Sequence, residues 1–178
     1  MLCEWFENKM SSLVNNVRND VLGNVIAHKV GQKQHKIMVV AHADEIGFMV
    51  TNIDDRGFVS IRPVGCVDAG IMPGSFLTIC GYKETIKGCV GKNAIHIQHD
   101  EHATSKFEDL WVDIGCSSKE EAQAKIRIGD YATFTPNYCK PNESVVFSKS
   151  LDDRIGMAVL LSLAEKLKDT TNNCDLYV

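Results

Sequence analysis

Ile37-Met38-Val39-Val40-Ala41-His42-Ala43-Asp44-Glu45-Ile46-Gly47-Phe48-Met49-Val50 is the stretch on which the reading of the fold depends. It opens as a continuous apolar run, Ile37 to Ala41, which predicts a strand covered on both faces of an α/β sheet. It then turns polar, passes Gly47, and from Phe48 onward has a different texture. Short strands are predicted at Phe48 to Ile53, Phe58 to Val64, Ser75 to Cys80, Thr85 to Val90, Leu110 to Ile114 and Tyr131 to Phe134. Glycines mark the bends between them, the pattern of a small all-β barrel or sandwich. One short helix interrupts it, with Ser117 as the expected N-cap of Lys119-Glu120-Glu121-Ala122.

On either side of this β segment the pattern is mixed. Phe6, Met10, Leu13, Val14 and Val17 fall at helical spacing and predict an amphipathic helix from Trp5 to Arg18. Asp20-Val21-Leu22-Gly23-Asn24 is turn chemistry, followed by a strand at Val25-Ile26-Ala27. After Pro141, Ser150-Leu151-Asp152-Asp153 reads as a helix start, with Ile155, Val159, Leu163 and Leu167 on one face. Cys174 to Val178 begins a further strand-like run. The expected organisation is therefore an α/β frame formed by residues 1–47 and 144–178, interrupted by a β insertion spanning 48–143.

Composition narrows the functional classes. The 178 residues carry a net charge of −4, with no basic run, so nucleic acid is not an expected partner. No stretch reads as a signal peptide or membrane span. The seven cysteines are odd in number and scattered without a C-x-x-C pair, which reads as reduced thiols and a cytoplasmic location.

Three sets of residues have the chemistry for a site. His42 and Asp44 lie at the end of the apolar strand, where ligands collect in open α/β sheets. If extended backbone persists, both point the same way, and Asp44 can accept the spare ring N–H of His42 and leave its other nitrogen for a metal. A chance H-x-D on a loop is the alternative. Asp152 and Asp153 open the last helix, where carboxylates serve equally as caps or as ligands of a dication. His96, His99 and His102 form an H-x-x-H-x-x-H run whose polar neighbours are those of a solvated loop.

Taken together, these segments resemble the tetrahedral, dodecamer-forming metalloaminopeptidases, a family that includes glutamyl and deblocking aminopeptidases and some members labelled endoglucanases. The match is carried by Asp20-Val21-Leu22-Gly23-Asn24, Ala41 to Val50, Asp113-Ile114-Gly115 with Ser118-Lys119-Glu120-Glu121-Ala122, and Ser150-Leu151-Asp152-Asp153-Arg154-Ile155-Gly156. These segments stand in family order. One departure is Cys66, which follows Gly65 where members often have a second glycine.

The resemblance implies an α/β catalytic domain, present here in part, split by a small β-barrel used for dimer contacts. It implies two divalent metal ions, zinc or cobalt, and peptides as the substrate class. On matching positions His42 is a ligand of one metal, Asp44 its orienting carboxylate, and Asp152 the carboxylate that bridges both metals. The family's catalytic glutamate and its remaining ligands would follow the strand begun at Asp175. The chain is thus expected to be the N-terminal half of such an enzyme, inactive by itself, with the full dinuclear site not formed. Its uncovered apolar faces, on Ile37 to Ala41 and Ile155 to Leu167, lead to an expectation of homo-oligomerisation. The alternatives are an oligomeric assembly or binding module that retains the metal corner as a relic, or a metal-binding protein that uses His96, His99 and His102.

Overall fold

A computed structural model describes residues 2–93 and 105–178. His96, His99 and His102 lie outside the described residues. The chain begins with α1 (Leu2–Met10), β1 (Asn16–Asn19), β2 (Val25–Lys29) and β3 (Lys36–Met38). It continues through β4 (Gly47–Ile53), β5 (Val59–Val64), β6 (Phe76–Cys80), β7 (Thr85–Lys92), β8 (Leu110–Asp113), α2 (Lys119–Gln123) and β9 (Tyr131–Phe134). A hairpin of β10 (Cys139–Asn142) and β11 (Val145–Phe147) leads to α3 (Leu151–Leu167) and β12 (Asp175–Tyr177). Two compact units result: Met1–Glu45 with Ser150–Val178, and Ile46–Lys149.

The first unit, the frame, is a four-stranded sheet in the order β1-β2-β12-β3. The turn between β1 and β2 is held by the Asp20 carboxylate, which accepts from the backbone of Leu22 and Asn24 and from Asn24 Nδ2. β12 enters between β2 and β3, antiparallel to the first through Tyr177 opposite His28 and parallel to the second through Leu176 opposite Ile37. Phe6 and Met10 of α1 form its core with Ala27, Met157, Leu160 and Ala164.

Two expectations need correction in the frame. The first helix stops at Met10 rather than Arg18, because Ser11 and Ser12 donate their hydroxyls back to the carbonyls of Glu7 and Lys9 and the chain then pairs as β1. The run Ile37 to Ala41 is not covered on both faces. Only Lys36–Met38 is strand, and among the described residues it pairs with β12 alone, so Met38 and Val40 are 74% and 72% exposed. Ile155 and Val159 of α3 are exposed as well.

The second unit is a closed barrel in the order β4-β5-β8-β7-β6-β9. Alternate side chains along each strand point inward, as a pleated strand requires, and Phe48, Val50, Leu77, Ile79, Val90 and Val112 fill the interior. α2 packs Ala122 into the same core, but its N-cap is Ser118, one residue later than expected. Ser118 Oγ accepts from the Glu121 N–H, and the Glu121 carboxylate reaches back to the N–H of Ser117, so the two serines share the task. The turn after β5 needs only one glycine: Gly65 has φ +94°, while Cys66 is not left-handed.

Candidate metal centre

The site forms where the frame's chain leaves β3. Val39 still donates its N–H to Tyr177, after which residues 41–46 belong to no strand or helix. His42 nevertheless meets both of the carboxylates expected of it. Its Nδ1 lies 3.0 Å from Asp44 Oδ1, and its Nε2 lies 3.1 Å from Asp152 Oδ1, 110 positions away in sequence. All three side chains are exposed, Asp152 at 95% and His42 at 55%. Desolvation pulls the His42 imidazole down. A hydrogen bond with the Asp44 main chain, the Asp152 carboxylate and both negative charges outweigh that pull, so its pKa is raised above the ordinary value.

The start of α3 gives its two aspartates different partners. Ser150 is left-handed (φ 62°), and Asp152 and Asp153 both carry non-helical angles, with a cis peptide bond between them. Asp153 Oδ1 accepts from the N–H of Gly156 at 3.1 Å, which is the hydrogen bond of an N-cap to the third helical residue. Asp153 is thus the cap, and Asp152 is left to face His42. A Cβ at Gly156 would stand 2.5 Å from the Asp153 carboxylate oxygens, so a larger residue there would displace the capping carboxylate.

The sequence reading assigned no role to Glu45 or Arg154. The hydroxyl of Ser150 donates to Glu45 Oε2, and Arg154 Nη2 lies 3.6 Å from Glu45 Oε1. Their only signal in the sequence was their place inside the two quoted motifs.

Among the described residues no group of three or more His, Cys, Asp or Glu side chains is arranged to hold a metal. The pair of His42 and Asp152 nonetheless suits two sites on one ion. With metal–nitrogen and metal–oxygen bonds of about 2.0–2.2 Å, donors at tetrahedral to right angles stand roughly 3.0–3.4 Å apart. The observed separation of 3.1 Å lies in that interval. One imidazole nitrogen and one carboxylate oxygen are also the donor types that a borderline dication accepts.

The family model for M42 glutamyl aminopeptidases matches residues 23–178. The chain belongs to the M42 family. M42 is a metallopeptidase family, consistent with divalent metals. A lysyl aminopeptidase of Pyrococcus furiosus is 32% identical over 95% of this chain and 49% of its own length. The solved structure of an aminopeptidase from the archaeon Desulfurococcus kamchatkensis superposes with a TM-score of 0.89 at 31% identity, over 99% of this chain and 48% of that one. The TET1 peptidase of Pyrococcus horikoshii, which can assemble into a tetrahedron or a large octahedral shell, matches with a TM-score of 0.83 at 28% identity, over 98% of this chain and 52% of that one. The chain spans about half the length of the curated M42 relatives it matches.

Proposed function

We propose that these residues form one corner of the dinuclear centre of an aminopeptidase that removes N-terminal residues from peptides. The observation that carries this reading is the approach of Asp152 to His42 from a distant part of the chain. His42 Nε2 would be a metal ligand, and Asp152 would bridge two ions, zinc or cobalt. Bound there, such ions supply Lewis acidity to a peptide carbonyl and lower the pKa of a shared water. With a metal in place of the Nε2 proton, Asp44 would accept from Nδ1 of His42 and keep the ring oriented. Asp153 and Gly156 hold the α3 N-terminus so that Asp152 is not drawn into capping it.

Two converging donors do not make a dinuclear site. The 178-residue chain alone is therefore proposed not to turn over peptides. The test is hydrolysis of leucine, glutamate and aspartate p-nitroanilides with added zinc or cobalt. No turnover is expected. Turnover that His42→Ala abolishes would overturn the inactivity and keep the metal corner.

Homo-oligomerisation through the barrel is part of the same reading. It is supported by the assembly of the TET1 relative and by the exposed pair Met49 and Tyr131, which stand opposite each other across β4 and β9. A cytoplasmic location is supported by the seven free cysteines. No helix among the described residues is long and apolar enough to cross a membrane.

A further inference from the structure

Asp152 is almost fully exposed, so nothing packed around its carboxylate keeps it against His42. Its backbone, however, is held on both sides by one residue. Glu45 has a mostly buried side chain, 20% exposed, three positions after His42. One of its oxygens accepts from Ser150, two residues before Asp152, and the other faces Arg154, two residues after it. Ser150 is also the only described non-glycine residue with a positive φ, a conformation that an L-residue needs a specific contact to keep.

From this geometry we infer that Glu45 is a positioning residue for the metal corner, fastening the segment that carries His42 to both flanks of Asp152. A bare Asp-Asp helix start would present either carboxylate to the helix end. With Ser150 and Arg154 both tied to Glu45, the intervening turn is fixed, and the carboxylate that faces His42 is that of Asp152. The role gives Glu45 and Arg154, which both lie within the quoted motifs, a part in shaping the corner through Ser150 and the α3 start.

The inference rests on the metal-corner reading, and its test separates the two. The 178-residue chain, labelled at histidine, is titrated with Co²⁺ alone, and paramagnetic shifts of the His42 ring are followed by NMR, with His42→Ala to assign the signal. Glu45→Ala is expected to weaken His42-centred Co²⁺ binding about tenfold, at the low end for loss of a residue that orients metal ligands. Glu45→Gln keeps an acceptor for Ser150 and removes the negative charge that faces Arg154. About threefold weakening is expected, the size of one solvent-accessible charge pair. Arg154→Lys, which restores a cation, should bind Co²⁺ more tightly than Arg154→Gln, a rescue that general destabilisation would not produce. A lowered melting temperature with unchanged Co²⁺ affinity in Glu45→Ala would overturn the positioning role alone. Should Glu45→Ala not fold, equal affinities for wild type, Glu45→Gln and Arg154→Gln would overturn it. No His42-centred shift in the wild-type chain would instead bring down the metal corner and, with it, this role.

Discussion

The barrel and the frame solve the problem of a sheet's edges in opposite ways. In the barrel every strand from β4 to β9 has two neighbours, and its inward-facing side chains are enclosed. In the frame the sheet stops at β3, where Ile37, Met38 and Val40 are exposed, and its buried cluster is much the smaller of the two. The candidate metal corner, His42 with Asp44 and Asp152, belongs to the open unit. A closed barrel can be rigid on its own, whereas a site at the end of an edge strand depends on contacts between segments far apart in sequence. In the frame those contacts are His42 to Asp152 and Glu45 to Ser150.

The contrast is broken most forcefully from inside the barrel. Phe48 is 1% exposed and packs edge-on against Phe134, so Phe48→Ala should cost about 3–5 kcal/mol. Hydrogen exchange should show the loss in β4 to β9 and leave the protection of β2 and β12 unchanged. Equal loss in both units would mean that they unfold as one. A smaller effect is expected in the frame from Gly156→Ala, which forces the Asp153 carboxylate off the Gly156 N–H. The expected cost is about 1–2 kcal/mol, the worth of a helix cap, measured by urea denaturation of the frame.

The open edge sharpens the comparison in solution. Self-association is expected for the wild-type chain, and the double substitution Met38→Lys with Val40→Lys should weaken it at least several-fold in sedimentation velocity, because charge on an edge strand opposes edge pairing. A wild-type chain that stays monomeric at high concentration would remove the case for an uncovered face.

The smallest effect follows from His42. Its folded-state pKa is raised above the ordinary value of about 6.5, so the imidazolium stabilises the frame fully below that value. That contribution is lost as pH rises through the raised value. In the absence of metal, the urea midpoint of wild type should therefore exceed that of His42→Ala by more at pH 5.5 than at pH 9. An equal gap at both would show that the two carboxylates do not favour the charged ring.

The barrel was the most legible part of the sequence. Its strands fall within a residue or two of the expected spans because alternation and glycine punctuation are local signals. Local signals also explain the misreadings. Val14 and Val17 continue the helical spacing past the serines that end α1, and an apolar run such as Ile37 to Ala41 does not reveal whether its strand is central or at an edge. At the site, His42, Asp44 and Asp152 were visible as residue types in motifs, and the structure brings them together. The resemblance singled out Asp152, but Asp153 as the cap that leaves Asp152 free was not visible. It depends on how the turn at Ser150 is held, and the partner that holds it, Glu45, lies 105 positions earlier.

The pairing of His42 with Asp152 as two donors to one ion is tested most directly by crystals grown with zinc and measured at the zinc absorption edge. An anomalous peak is expected within bonding distance of His42 Nε2 and Asp152 Oδ1, with Asp44 still on Nδ1. A peak at His96, His99 and His102 with none at His42, or no peak at all, would contradict it.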